Sequence, residues 1–197
     1  RRARLAILPE ILAAAGVAGF ATFMLLQVWG SFLMMGVLEE KASKVVEILL
    51  SQVRPSTLLG GKVIGLGFLA LVQMLIFVAG LVVGLLLVQD IAVPGSVWGS
   101  VPLSVLTFLL GFGFYATAYA AVGSMVSRQE DATSAQLPVM FPLLAGYFIA
   151  ATSIGAPDNL AVTIGSFVPF TSPVLLPFRA AMLDVPLWQL AASLVIL

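Results

Sequence analysis

The side chains best equipped for chemistry crowd into one short stretch, Glu39-Glu40-Lys41-Ala42-Ser43-Lys44-Val45-Val46-Glu47. Interleaved carboxylates and ammonium groups suit ion pairing and docking. Catalysis finds little to work with. The chain has no His and no Cys, which removes the commonest general base, the commonest metal ligand and any thiolate site. Ser–His and zinc hydrolysis therefore lack their residues, and no carboxylate pair lies within an apolar run. No catalytic, cofactor-binding or metal-binding residue is expected.

Two glycine patterns invite nucleotide chemistry and fail on their surroundings. A P-loop needs a glycine five residues before the Gly of Gly61-Lys62 and a Ser or Thr after the Lys. Ser56 and Val63 stand there. Gly65-Leu66-Gly67-Phe68-Leu69-Ala70 resembles a dinucleotide fingerprint only formally, because no strand precedes it. No ATPase is expected in this chain.

The elements that position the charged stretch are apolar. Of 197 residues, 61% are hydrophobic and 9% charged, against roughly 25% charged in soluble domains. Lipid must be the solvent for much of this surface. The formal net charge is zero, which leaves no electrostatic footprint for nucleic acid. A helix needs roughly 20 apolar residues to cross a bilayer. Residues 11–38, 63–88, 101–126 and 137–154 meet that length or nearly so, and 187–197 reads as the opening half of a fifth span. Pro102 and Pro138 are placed at helix starts, and Pro142 is expected to kink its helix. The fold class is all-α: one polytopic membrane domain over 1–197 with about five transmembrane helices.

The connections differ in character. Residues 89–100 and 127–136 read as loops, the second carrying Arg128, Glu130 and Asp131. Residues 155–186 are broken by Pro157, Pro169, Pro173, Pro177 and Pro186, which argues for a re-entrant or interfacial helical pair. Asp158 and Asn159 there read as solvated. Lys41, Lys44, Arg54, Lys62 and Arg128 place the first and third connections in the cytoplasm. Arg1, Arg2 and Arg4 then lie outside and violate the rule, unless a large ectodomain precedes them.

The charged stretch lies between the first two spans. Ala42, Val45, Ile48 or Leu49, and Gln52 or Val53 recur at helical spacing. Glu40 and Lys44 are spaced i,i+4 in the favourable order. Residues 39–55 are therefore expected to form a short amphipathic helix at the cytoplasmic surface. Pro55 would end it, and Ser56 or Thr57 would cap the next helix. Such a helix can lie passively among headgroups or dock a protein; its mixed charge favours a protein.

Glu39-Glu40-Lys41, Ser43-Lys44, Val46-Glu47-Ile48-Leu49, Val53-Arg54-Pro55, Leu58-Leu59 and Gly61-Lys62 with Gly65 resemble the signature of type-2 ABC transporter permeases, in the sodium-efflux-like branch. Pro169-Phe170-Thr171-Ser172-Pro173, Pro177, Arg179 and Val185-Pro186-Leu187-Trp188 resemble that family's extracellular segment before its last helix. The resemblance implies an ABC exporter subunit that moves substrate with a partner's ATP hydrolysis. It implies that Glu39, Glu40, Lys41, Lys44, Glu47 and Arg54 form the ATPase-coupling set. It also implies a second permease half, and a fragment lacking the first helix, most of the ectodomain and the end of the last helix. The expected location is the plasma membrane.

Within the spans, Gly61/Gly65 and Gly80/Gly84 fit the GxxxG spacing. They are expected to pack helices, within the chain or against a second half. Gln27 and Gln73 are expected to hydrogen-bond between helices. Two competing classes remain open. An ion-coupled secondary transporter is disfavoured because no apolar run carries a central charge. A structural or assembly protein is the other.

Overall fold

A computed structural model describes the backbone of residues 2–42, 55–87 and 95–197, and the side chains of 16–41, 56–84, 86–87 and 98–197. Among the described residues every regular element is a helix. In chain order they are α1 (Arg2–Ala42), α2 (Pro55–Leu87), α3 (Gly95–Met125), α4 (Gln129–Ala135), α5 (Leu137–Thr152), α6 (Leu160–Gly165), α7 (Ser172–Met182) and α8 (Leu187–Ile196).

Among the described residues, four stretches are long and apolar enough to cross a membrane: Gly16–Lys41, Ser56–Gly84, Trp98–Met125 and Gln129–Thr152. These match the four complete spans expected from hydropathy. Where a fifth was expected stands the short apolar helix Leu187–Ile196, which does not reach a span's length.

Four expectations about boundaries are corrected. Glu39, Glu40 and Lys41 belong to the last turn of α1, which runs unbroken from the preceding span. Pro55 opens α2 rather than standing between helices; the missing N–H costs nothing at a first helical position, where that donor has no intrahelical partner. Ser56 and Thr57 are consequently inside the first turn. Pro102 lies within α3, which begins at Gly95. The polar 127–136 connection is mostly the helix α4, and it joins α5 through Gln136 alone. Pro138 sits in the first turn of α5 as expected.

The bundle is organised around α1 and α3, which share the most extensive interface. The proline-rich 155–186 segment forms the helical pair α6 and α7. Far from lying on the surface, α7 inserts among α1, α3 and α5, with Val174, Leu175 and Leu176 buried. Its prolines serve that insertion. Pro173 lies in the first turn of α7, and its ring occupies the space where a Cβ on Gly111 of α3 would stand. Tyr115 donates its hydroxyl hydrogen to the Phe170 carbonyl, while the Phe114 and Phe170 rings meet edge to face with centroids 4.9 Å apart. By contrast, α2 leaves Ile64, Phe68, Ile76 and Leu86 exposed along its length, the pattern of a helix solvated by lipid.

Candidate functional site

The charged end of the bundle is built where α1 stops, α2 starts and α3 stops. Lys41 is the basic residue in the last turn of α1. Its Nζ donates to the carbonyls of Ser124, at 2.8 Å, and Val126, at 3.2 Å. The final carbonyls of a helix have no intrahelical partner and carry partial negative charge. A lysine from a neighbouring helix therefore caps α3. Its long stem reaches that end while the residue stays exposed.

Glu40 has a partner on another helix. Lys62 Nζ lies 2.9 Å from Glu40 Oε1 and also donates to the Gly36 carbonyl at 2.7 Å. A Cβ at position 36 would lie 3.0 Å from that ammonium, so glycine gives the lysine room to approach. Both side chains of the pair are about 30% exposed. Such a half-solvated pair is worth about 1 kcal/mol or less; its importance is geometric. Glu39 is exposed beside it. Lys44, Glu47 and Arg54 lie outside the described residues, as does residues 43–54 of the expected amphipathic helix.

A second polar knot sits deeper. Tyr119 of α3 donates to Gln27 Oε1 at 2.5 Å. Ser31 Oγ donates to Gln136 Oε1 at 2.8 Å, and Gln27 Nε2 lies 3.4 Å from the same oxygen. Trp29 Nε1 donates to Gln73 Oε1 at 2.9 Å. Gln27 and Gln73 thus make the interhelical bonds expected of them. Gln136, read from sequence as the end of a loop, is the residue that ties the α4–α5 junction to α1. Asn159 is also corrected: its side chain accepts from the Val162 amide at 2.9 Å, capping α6, and donates to Ser153 Oγ at 2.8 Å.

Towards the opposite end, a cavity of about 70 Å³ opens between α1, α2, α3, α5 and α7, walled by residues such as Val17, Met74, Phe77, Val101 and Phe178. Two of its hydroxyls are engaged by their own helices: Thr22 Oγ1 donates to Ala18 O at 2.9 Å and Ser104 Oγ to Ser100 O at 2.8 Å. The walls are mostly apolar, and no charged residue lines them.

Gly61, Gly65, Gly80 and Gly84 are exposed, with nothing within 4 Å of where a Cβ would stand. Intrachain packing is therefore not their role among the described residues. The close helix approaches fall elsewhere, as at Gly123, where a Cβ would lie 2.7 Å from the Met34 carbonyl oxygen.

The model of the ABC-2 family transporter proteins matches residues 10–197. The chain belongs to this family. With four apolar stretches among the described residues long enough to cross a bilayer, it is an integral membrane chain of that family. Among similar proteins is the uncharacterized protein YhaP of Bacillus subtilis (strain 168), 34% identical over 185 residues, covering 89% of this chain and 44% of that protein. Another is the uncharacterized protein MJ1024 of Methanocaldococcus jannaschii, 25% identical over 178 residues, covering 90% of this chain and 43% of that protein. The chain thus spans less than half the length of these curated relatives. No solved structure matches it.

Proposed function

We propose that this ABC-2 permease works in an exporter of the plasma membrane, driven by a partner ATPase that docks on residues 39–55. The observation that carries the reading is the pair of clasps at the charged end. Lys41 fastens the end of α1 to the end of α3, and Lys62 fastens α1 to α2. A push delivered to the segment between α1 and α2 is shared at once by three spans. Their helices are stiff, so displacement at one end rearranges the far end. The exposed faces of α2 and α1 leave room for a second permease half as well as lipid.

The ion-coupled alternative gains nothing from the structure. The cavity is apolar, and ion pathways need charged or polar linings. The decisive experiment reverses the charges of Glu39, Lys44 and Glu47 in the assembled complex. Co-purification of the ATPase should fall, and ATP hydrolysis should lose its dependence on the permease. Unchanged co-purification and hydrolysis would sink the reading; gradient-driven flux without ATP would favour the ion-coupled one.

A further inference from the structure

Packed protein interiors leave few voids larger than a water molecule. The cavity of about 70 Å³ between α1, α2, α3, α5 and α7 is well above that size, since a water needs only about 10–15 Å³ of such room. Small residues help to hold it open, among them Ala18 and Gly19 on α1 and Ala150 on α5. Met74, Val174 and Phe178 form its depth, at 2%, 2% and 6% exposure. Val17 and Phe77 also line it, yet they are 55% and 47% exposed. They form a rim, so the cavity opens at the side of the bundle.

Its occupant is set by the walls and by the medium at the rim. Among the described residues no charged side chain lines it. Water would need about two to four polar partners, and Thr22 and Ser104 already give their hydroxyl hydrogens to carbonyls of their own helices. An apolar cavity of roughly 150 Å³ stays dry and takes a benzene ring. About half that room suits a short run of carbons belonging to a longer molecule that reaches in from outside. Val17 and Phe77 lie within the spans Gly16–Lys41 and Ser56–Gly84, where the surrounding medium is hydrocarbon. Lipid acyl chains are that medium. A chain lodged there gives the lining side chains the dispersion partners that an empty void denies them.

We infer that this cavity is a binding site for part of a lipid acyl chain, which enters past Val17 and Phe77 and packs against Met74, Val174 and Phe178.

Photolabelling of the full-length protein in phosphatidylcholine vesicles tests this. Three phosphatidylcholine probes carry a diazirine near the carbonyl, midway along or at the methyl end of one acyl chain. After illumination, the labelled residues are located by peptide mass spectrometry. Lipid that merely surrounds the protein reaches exposed positions such as Ile64, Phe68 and Ile76 of α2. A lodged chain also labels Met74, Val174 or Phe178, and the probe that labels them most reports the depth of the site. Ser104→Leu and Ala18→Leu fill the space from α3 and from α1. Each should lose the wall label and keep the label on the exposed α2 positions. The inference is overturned if no probe labels the wall in the wild-type protein, a comparison that needs no variant to fold. It is equally overturned if the wall label persists in either variant that keeps the wild-type melting temperature.

Discussion

Replacing Gly123 by alanine isolates the α1–α3 contact on which the charged end depends. The new Cβ would stand 2.7 Å from the Met34 carbonyl oxygen, 3.2 Å from its Cγ and 3.3 Å from its Cα. Carbon and carbonyl oxygen meet comfortably at roughly 3.3 Å, so the helices must part by roughly 0.5 Å. A flexible side chain could swing aside; a helical carbonyl cannot. Overpacking of this kind costs about 1–3 kcal/mol. Gly84→Ala is the matched control, since nothing lies within 4 Å of its Cβ position, and alanine is the better helix former by up to about 1 kcal/mol. Reversible denaturation of the full-length protein in micelles, titrated with dodecyl sulfate, should rank Gly123→Ala below wild type by about 1–3 kcal/mol. Gly84→Ala should rank level with wild type or above it. Parting α1 from α3 also draws Lys41 away from the Ser124 carbonyl, so permease-dependent ATP hydrolysis should fall in Gly123→Ala only. Equal stability of the two variants would refute the close approach and the reasoning built on it.

Other outcomes follow from single contacts. A double-mutant cycle of Glu40→Gln and Lys62→Met should return a coupling energy of about 1 kcal/mol or less, shrinking as salt is raised. Tyr119→Phe leaves Gln27 without its hydroxyl donor and should cost about 0.5–1.5 kcal/mol in the same denaturation assay; adding Gln27→Leu should cost less than its own single effect. Asn159→Ala removes the α6 cap and should destabilise that turn by about 1 kcal/mol, read as faster hydrogen exchange at the Val162 amide.

The spans were legible because a helix in lipid must be apolar over its whole length, and no tertiary information is needed to see that. The insertion of 155–186 was legible for a related reason: five prolines cannot form one straight span. The clasps were not. The spacing of Glu40 and Lys44 speaks only of neighbours along one stretch, while Lys62, which pairs with Glu40, sits on another helix, and local spacing cannot reveal a partner across a turn. Gln136 was hidden by its polar neighbours, which made a loop of what is a helix junction. The GxxxG spacing pointed to Gly61, Gly65, Gly80 and Gly84, yet the packing glycines answer individual opposing groups, Pro173 at Gly111 and Met34 at Gly123. Those opposing groups are fixed by the fold, not by a repeat along the chain. Arg179 stood in a recognisable motif, but its burial, bonded to Ser166 and Gln189, appears only when α6, α7 and α8 are assembled.

α2 touches the bundle through few polar contacts, chiefly Lys62 near one end and Gln73 part-way along. Its outward side is exposed among the described residues. Its sequence is therefore under two very different regimes. At Ile64, Phe68, Ile76 and Leu86 any side chain at home in hydrocarbon will serve, so a random library there should yield mostly working proteins. At Lys62 and Gln73 the vocabulary contracts to residues that can reach and hold a particular oxygen or indole. One helix thus carries both the most replaceable and the least replaceable letters of the chain, separated by a fraction of a turn.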